Sequence, residues 1–281
     1  MEHTYQWQDG KKLSIGRKTL IMGILNVTPD SFSDGGQWNT KEKALVHVSD
    51  MIKAGADIID LGAESTRPGH QPLTAEEEIE RLKKFLPYVP EESSVPISLD
   101  TYHWKTAEYA LGQGIHIGND IWGFQYDQGE MAKVFAGFDV PIVLMHNHDG
   151  TCYKNDMIDE MKRFFKRTVE IALRAGVKEK NIILDPGIGF GFGKDSNQNL
   201  EVLRRLDELT GYFPYPWLLG VSRKRFIGDI LGTAAEERDE GTGAVDLWGV
   251  TKGCSILRVH NVKMAVRLSK VWDALKNNVV L

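Results

Sequence analysis

Short apolar segments alternate with longer amphipathic segments along most of the chain. The clearest apolar segment, residues 182–184, is mostly β-branched, too short for a helix, and followed by Asp185 and Pro186. Such a run is typical of a strand buried on both faces, and proline ends the strand because it has no N–H to donate. Residues 181–194, NIILDPGIGFGFGK, therefore predict a buried strand that ends on a carboxylate beneath a glycine-rich loop.

This strand is one of eight predicted strands, each followed by a segment with helical spacing. Thr74 and Glu77 form the signature of a capping box at the start of one of these helices. The predicted strands cover residues 19–25, 57–61, 97–100, 115–117, 141–145, 182–184, 216–221 and 255–259. The other predicted helices cover residues 41–54, 103–112, 128–137, 156–175, 198–209, 224–252 with a break near Gly241, and 262–276.

Regular strand–helix alternation over a core of ~250 residues is typical of a (β/α)8 TIM barrel. A doubly wound sheet is the alternative, although it usually has fewer strands. We expect a single α/β barrel domain over residues 19–281, preceded by a polar N-terminal lead-in over residues 1–18 that is compatible with a short hairpin.

The composition of the chain argues against two classes of partner, nucleic acids and membranes. The formal net charge is −5 and no basic block is present, which argues against a nucleic-acid partner. The longest apolar runs fall short of the ~18 residues needed to cross a bilayer, so we expect no membrane partner. Two cysteines, Cys152 and Cys254, are too few for a disulfide framework and favour a reducing, cytoplasmic location.

A barrel places its active site in the loops that follow the strands. Almost every predicted strand ends on a residue that carries charge or forms hydrogen bonds, after a strand that is almost wholly apolar. These residues are Asn26, Glu64, Ser65, Thr66, Arg67, Asp100, Asn119, Asp120, Met145, His146, Asp185, Ser222, Arg223, Lys224, Arg258 and His260. Their convergence on one rim is a stronger indication of a site than any single residue.

The residue types indicate the chemistry of a ligand. Two carboxylates, Asp100 and Asp185, and one amide, Asn119, suit a flat heterocycle such as an aminopyrimidinone, because a carboxylate accepts two parallel N–H bonds. The cations Arg67, Lys224, Arg258 and His260 suit phosphate and carboxylate groups of a substrate.

The glycine loop excludes two common alternatives. A dinucleotide fingerprint requires glycine at the sixth position counted from Gly187, but Phe192 stands there. A Walker A loop requires glycine where Ile188 stands. Binding of NAD or ATP through this loop is therefore not expected.

Eight ordered motifs resemble those of dihydropteroate synthases. They are ILNVTPDSFSDGG, GADIIDLGAESTRPG, ISLDT, NDI, LMH, LDPGIGFGFGK, GVSRKRFIG and RVHNV, and they extend over residues 19–262. The resemblance implies that a pterin carrying a methyl diphosphate condenses with 4-aminobenzoate to release diphosphate and form 7,8-dihydropteroate, a step of folate biosynthesis.

The resemblance also implies roles for single residues. Asp100, Asp185 and Lys224 are the expected catalytic group. Asn119, Met145, Gly220 and Arg67 belong to the expected substrate-binding set. The set also contains the residues matched to the diphosphate (Thr66, Arg258, His260) and Ser222, matched to the aminobenzoate carboxylate. Asn26 is similar to the family's Mg²⁺ contact, and Mg²⁺ is the expected cofactor. The loops at 26–38 and 64–72 resemble the family's mobile loops, and the family suggests a homodimer through the last helices.

Several alternatives stay open on the sequence. Other readings are a pterin-binding methyltransferase domain, which has no need of a diphosphate set, and a catalytically silent pterin-binding paralogue, although none of the main charges is missing. Asp60 and Asp120 suit the site or a structural role equally. Asn261 stands where the family usually has Asp, and Arg225 where many relatives have Ser.

Overall fold

A computed structural model describes residues 2–28, 40–64, 71–148, 150–189 and 194–276. Its centre is a sheet of eight parallel strands, and an antiparallel hairpin precedes it. The hairpin consists of β1 (His3–Gln6) and β2 (Lys12–Ile15). The parallel strands are β3 (Leu20–Asn26), β4 (Ile58–Gly62), β5 (Ile97–Asp100), β6 (Ile117–Asp120), β7 (Ile142–Met145), β8 (Ile182–Asp185), β9 (Leu218–Leu219) and β10 (Ile256–Val259).

Hydrogen bonds connect these strands in the order β8, β7, β6, β5, β4, β3, β10, β9. The ring closes between β8 and the segment before β9, where Leu184 forms a parallel bridge with Trp217 and its N–H donates to the Pro216 carbonyl at 2.9 Å. The (β/α)8 barrel is confirmed, and the doubly wound sheet is excluded because the sheet returns to its first strand.

Helices follow the strands and cover the outside of the barrel. The longest, α6, ends as predicted on Gly176, which adopts a left-handed conformation. The capping box of Thr74 and Glu77 is formed at the start of α2. The helices are α1 (Thr40–Ala54), α2 (Ala75–Leu82), α3 (Val89–Glu92), α4 (Trp104–Gly112), α5 (Glu130–Phe138), α6 (Met157–Ala175), α7 (Ser196–Arg204), α8 (Asp207–Thr210), α9 (Arg225–Leu231), α10 (Asp239–Thr251) and α11 (Val262–Lys276).

Four predicted boundaries are wrong. The strand predicted over residues 115–117 lies further along the chain, as β6. The strand predicted over residues 216–221 is reduced to β9, because Pro216 has no N–H and Trp217 forms only an isolated bridge. The helix predicted over residues 198–209 is divided into α7 and α8. The break predicted near Gly241 lies earlier, since α9 ends on left-handed Gly232 and Gly241 is inside α10.

The hairpin covers the amino-terminal end of the barrel, where it completes an apolar cluster. Tyr5, Leu13 and Ile15 pack there against buried side chains from the strands. The strand residues of this cluster are Leu20, Met22, Ile58, Ile117, Val143, Ile183, Leu218 and Ile256. A second, larger cluster lies between the strands and the helices.

No helix in the described ranges has the length and apolar character needed to span a bilayer. Thr66, Arg67, most of the loop at 26–38 and part of the glycine loop (190–193) lie outside the described residues.

Candidate active site

The predicted site residues lie inside the barrel next to the apolar cluster, on the side of the carboxyl ends of the strands. Side chains alternate between the two faces of a strand, so residues two positions apart point the same way. Six strands carry an apolar cluster residue followed, two positions later, by a predicted or open site residue. The pairs are Ile58–Asp60, Ile117–Asn119, Val143–Met145, Ile183–Asp185, Leu218–Gly220 and Ile256–Arg258.

These residues enclose a cavity at the carboxyl ends of the strands. Its free volume is about 20 Å³, which is little more than one water molecule needs (~10–15 Å³). The lining residues are Asp100, Asn119, Ile121, Met145, Asp185, Gly187, Ile188, Gly220, Lys224 and Arg258. The three residues predicted to be catalytic, and Asn119, Met145, Gly220 and Arg258, are thus brought together.

Arg258 lines this cavity and bridges two carboxylates. Its Nε lies 2.6 Å from Asp60 Oδ2, and its Nη2 lies 2.7 Å from Asp100 Oδ2. Asn119 Nδ2 donates to the same Asp60 oxygen at 3.3 Å. Asp60 is therefore a buried residue that holds Arg258 and Asn119 in position.

Burial dominates the electrostatics of the two predicted catalytic carboxylates. It raises the pKa of Asp100 to about 7, although the nearby Arg258 charge opposes the shift. Burial likewise raises the pKa of Asp185 to about 6, against the hydrogen bond that Gly187 N–H donates to Asp185 Oδ1 at 2.7 Å. Both groups therefore titrate near neutral pH in this environment.

Lys224 reaches the cavity from the start of α9, where it occupies the N-cap position. Burial first, and then the charge of Arg258, lower its pKa to about 8. Its aliphatic stem packs against Gly189, because a Cβ on that glycine would come within 2.9 Å of the Lys224 Cβ and Cγ atoms. The described part of the glycine loop thus holds the lysine side chain close to the cavity.

Ser222 and His260 form a second polar pair at the ends of β9 and β10. Ser222 Oγ lies 2.9 Å from His260 Nδ1 and accepts from the His260 backbone N–H at 3.1 Å. Burial, followed by the charges of Arg223 and Arg258, lowers the pKa of His260 to about 4. His260 is therefore neutral at pH 7, which differs from the cationic role suggested by its residue type.

Asn26 ends β3 at the same rim. A Cβ on Gly62 would lie 3.4 Å from Asn26 Oδ1 and 3.6 Å from Asp100 Cβ, so the amide and the carboxylate flank this glycine. An amide oxygen beside a carboxylate is a donor set that suits Mg²⁺, which takes few protein ligands and keeps waters.

Other residues at the strand ends have structural contacts. Asp120 accepts hydrogen bonds from Trp122 N and Phe124 N, and its pKa is raised to about 7 by burial. Arg223 forms a two-pronged pair with Asp239 at 2.6 and 2.8 Å. Neither Asp120 nor Arg223 lines the cavity.

Two departures from the family pattern now have a structural description. Asn261 Nδ2 donates to Asp239 Oδ2 at 2.9 Å, and its Oδ1 accepts from Met264 N at the start of α11. The Arg225 side chain is 90% exposed and lies 3.7 Å from Asp229 Oδ1, so the solvated alternative is the one observed.

Sequence reasoning missed four buried polar groups or lining residues near the rim. Glu78 lies inside α2 and His103 precedes α4, so neither follows a strand directly. Glu78 shares a helix face with buried Leu82, four positions later, and this spacing was the available signal. Ile121 lines the cavity, and Lys194 is buried with its Nζ 3.1 Å from both His146 Nδ1 and the Gly187 carbonyl.

Comparisons with known proteins identify the family of the chain. Residues 22–260 match the model of a family described as pterin binding enzyme. A dihydropteroate synthase of Bacillus subtilis is 51% identical over 94% of this chain and 91% of its own length. One of Clostridium beijerinckii is 48% identical over 94% and 97%.

Solved structures give the same result. The dihydropteroate synthase of Clostridium difficile, crystallised in the presence of pteroic acid, superposes with a TM-score of 0.89 at 48% identity, over 93% of this chain and 98% of that one. The Xanthomonas albilineans enzyme with 4-aminobenzoic acid has a TM-score of 0.90 at 34% identity, over 98% and 99%. The chain therefore belongs to the pterin-binding enzyme family and, within it, to the dihydropteroate synthases.

Proposed function

We propose that the chain is a transferase of folate biosynthesis that condenses 6-hydroxymethyl-7,8-dihydropterin diphosphate with 4-aminobenzoate, giving 7,8-dihydropteroate and diphosphate. The observation that carries the proposal is the convergence of Asp100, Asn119, Asp185, Lys224 and Arg258 on one cavity, in a chain 51% identical to a dihydropteroate synthase. A fold alone would not suffice, because one barrel supports many reactions.

The acidic and amide groups form the proposed pterin floor. Asp185 and Asp100 accept the N–H groups of the pterin edge, and Asn119 supplies both a donor and an acceptor. Asn119 is held by its contact with Asp60. Met145 and Gly220 shape the walls: a Cβ on Gly220 would lie 3.8 Å from Asp185 Oδ2. Lys224 lies beside the ring.

Binding of the pterin edge would displace Arg258 from Asp100. The guanidinium Nη2 lies 2.7 Å from Asp100 Oδ2, an acceptor that the pterin N–H groups would use. The pterin N–H groups would replace the Arg258 guanidinium as hydrogen-bond donors to Asp100. The released guanidinium would then bind the diphosphate near His260. Thr66 and Arg67, outside the described residues, complete the proposed diphosphate set.

The proposed reaction breaks the bond between the pterin methylene carbon and the bridging diphosphate oxygen. The bonding electrons leave with diphosphate. The amine lone pair of 4-aminobenzoate forms the new C–N bond, and the amine nitrogen then loses a proton to solvent. Asp100 and Asp185 stabilise the positive charge that develops on the pterin methylene group. An arylamine is neutral at pH 7 and needs little help from a general base. The reaction needs no Ser–His or Cys–His nucleophile, and we propose no covalent enzyme intermediate.

Asn26 is the proposed Mg²⁺ contact, and Asp100 lies on the other side of Gly62 from it. Bound Mg²⁺ would supply neutralisation of the charge that develops on the leaving diphosphate.

We assign the carboxylate of 4-aminobenzoate to Ser222, which contacts His260 at the rim. A sulfonamide resembles 4-aminobenzoate in shape and charge, so it should compete at the same position. The two cysteines are free thiols, which supports the cytoplasmic location that we propose.

We also propose a homodimer formed through the last helices. Several large apolar side chains on α9, α10 and α11 are strongly exposed, and such patches are typical of protein interfaces. They are Ile230, Leu231, Trp248, Val271 and Leu275. Sedimentation should give a dimer mass for the native chain and a monomer mass for the double variant Val271→Asp, Leu275→Asp.

The decisive experiment is an assay of diphosphate release from the pterin substrate with and without 4-aminobenzoate. We expect release to depend on the added amine and to be inhibited competitively by a sulfonamide. Transfer of a methyl group from a methylated pterin to an added acceptor, with no diphosphate release, would favour the methyltransferase alternative. Tight pterin binding without either turnover would favour the silent paralogue.

A further inference from the structure

A second cluster of ligand-type side chains lies behind the ends of β4 and β5, outside the cavity. Glu64 follows β4, Glu78 is in α2, and His103 occupies the position before α4. One oxygen of each carboxylate and one ring nitrogen of His103 lie within 4.8 Å of one another. We call these three residues the Glu–Glu–His cluster.

The cluster is enclosed. Glu78 is fully buried and Glu64 is 9% exposed, while the His103 side chain is 14% exposed. Glu78 Oε1 is buried and makes no hydrogen bond to the described residues, and the buried His103 Nε2 faces Glu64 Oε2 at 3.6 Å, beyond hydrogen-bond distance. Leaving a buried polar atom unsatisfied costs about 1–3 kcal/mol, so a buried Glu78 oxygen in this state, beside two further ligand-type side chains, points to a ligand that the cluster can bind.

The other oxygens of the carboxylates are held in place. Glu78 Oε2 accepts from Thr101 Oγ1 at 2.8 Å, and Glu64 Oε1 accepts from the Tyr102 hydroxyl at 3.0 Å. Thr101 Oγ1 in turn accepts from His103 N at 3.1 Å. Hydrogen bonds of this kind orient the first ligands of protein metal sites.

We propose that the Glu–Glu–His cluster binds one divalent transition-metal ion of the Zn²⁺ or Co²⁺ type. Two ligands at ~2.1 Å from a tetrahedral ion lie ~3.4 Å apart, and His103 Nε2 lies 3.6 Å from Glu64 Oε2. The imidazole nitrogen distinguishes this site from the oxygen-only contact at Asn26, since imidazole suits zinc and cobalt whereas magnesium prefers oxygen ligands.

The site is separate from the proposed catalytic chemistry but connected to its scaffold. Thr101 directly follows Asp100 at the end of β5 and accepts the His103 backbone N–H while donating to Glu78. An ion at the cluster would therefore stiffen the loop that carries Asp100 without contacting the pterin.

The test uses the untagged full chain, stripped of metal by dialysis against a chelator, without substrates. Titration with Co²⁺ should give a visible absorption band that saturates at one equivalent, and Zn²⁺ should abolish the band. Elemental analysis after gel filtration should find one Zn²⁺ per chain. No band and no retained zinc would mean that the cluster holds only a shared proton, and the proposal would be overturned.

Variants locate the ion. His103→Gln and Glu78→Gln should each weaken Co²⁺ binding by at least about 100-fold. His47→Gln and Glu80→Gln, at exposed positions of α1 and α2, are the matched controls and should bind as the native chain does. Asn26→Ala should also leave the band unchanged.

Circular dichroism must show that each variant is folded, and His103→Gln is the safer of the two because His103 is partly exposed. Unchanged Co²⁺ affinity in folded His103→Gln would place the ion elsewhere and refute the assignment.

Discussion

The two ends of the barrel interior are built from the same strands but differ in chemistry. At the amino-terminal end, strand residues such as Ile183 and Ile256 pack with the hairpin in an apolar cluster. Two positions further along the same strands, Asp185 and Arg258 are buried charges. At the amino-terminal end, the Arg17 side chain is 71% exposed and forms a surface pair with Glu2.

The difference indicates which end stabilises the protein and which end serves the reaction. Apolar burial contributes about 25 cal/mol per Å² and favours folding. Burying paired charges costs desolvation energy that the pairing returns only in part, so such groups are weak evidence for stability. Their concentration at the carboxyl end therefore favours a functional reason for them, as barrel architecture predicts.

The largest expected effect is on pterin binding. Asp185→Asn should keep the fold, because the amide oxygen still accepts from Gly187 N–H, but it should lose two charge-assisted bonds to the pterin. At about 1.5–3 kcal/mol each, the affinity in calorimetry should fall by roughly 100-fold to 10,000-fold. Asp9→Asn, at the amino-terminal end, is the control and should bind normally. Native affinity in Asp185→Asn would remove its proposed role.

Arg258→Ala tests the buried pair directly. It leaves Asp60 and Asp100 buried without their cation, so the free energy of unfolding in urea should fall by about 3–5 kcal/mol. Arg17→Ala removes an exposed pair with Glu2 and should cause no measurable change. Equal losses in the two variants would contradict the contrast between the ends.

The same Arg258→Ala protein should bind pterin diphosphate much more weakly, while a bare pterin should lose less affinity. Equal losses for both ligands would count against the diphosphate role of Arg258.

Removal of Mg²⁺ sharpens the comparison at the rim. Adding a chelator should reduce turnover by about 100-fold, and excess Mg²⁺ should restore it. Binding of a bare pterin, which carries no diphosphate, should stay unchanged. Unchanged turnover in the presence of the chelator would refute the proposed Mg²⁺ contact at Asn26.

The titration of Asp185 predicts opposite effects of pH on stability and on binding. Its pKa is raised to about 6, so the folded state binds more protons than the unfolded state between about pH 4 and 6. This group therefore adds stability as pH falls through that window. Pterin binding needs the carboxylate, so its affinity should fall about tenfold per pH unit below 6.

Asp185→Asn should flatten both profiles, measured by urea unfolding and by calorimetry. A pterin affinity that rises on acidification in the native chain would show that the neutral acid is the binding form.

The smallest expected effect concerns Asn261→Asp, which restores the usual family residue. The carboxylate still accepts from Met264 N but loses the donor to Asp239, so we expect a change in unfolding free energy below about 1 kcal/mol. Turnover should be unchanged. A larger loss would show that the amide donor supports the Arg223–Asp239 pair.

The sequence by itself determined the architecture and the family. Apolar segments of strand length, separated by helical periods, identified eight units, and the predicted bounds of α11 agree with the structure at residues 262–276. The polar residues that follow the predicted strands identified the rim of the candidate site. Local signals that end a strand or begin a helix act within a few residues, so they can be recognised in the sequence. Examples are Pro186 after β8 and the capping box at Thr74.

Only the tertiary structure decided which of the polar strand ends face one another. Strands in a parallel barrel are apolar on both faces, so the pattern cannot tell the inward Asn119 from the outward Asp120. The ion pairs of Arg258 join residues 198 and 158 positions apart, and they exist only because the barrel closes. The Glu–Glu–His cluster likewise combines a loop, a helix and a helix start, whose meeting depends on packing and not on sequence spacing.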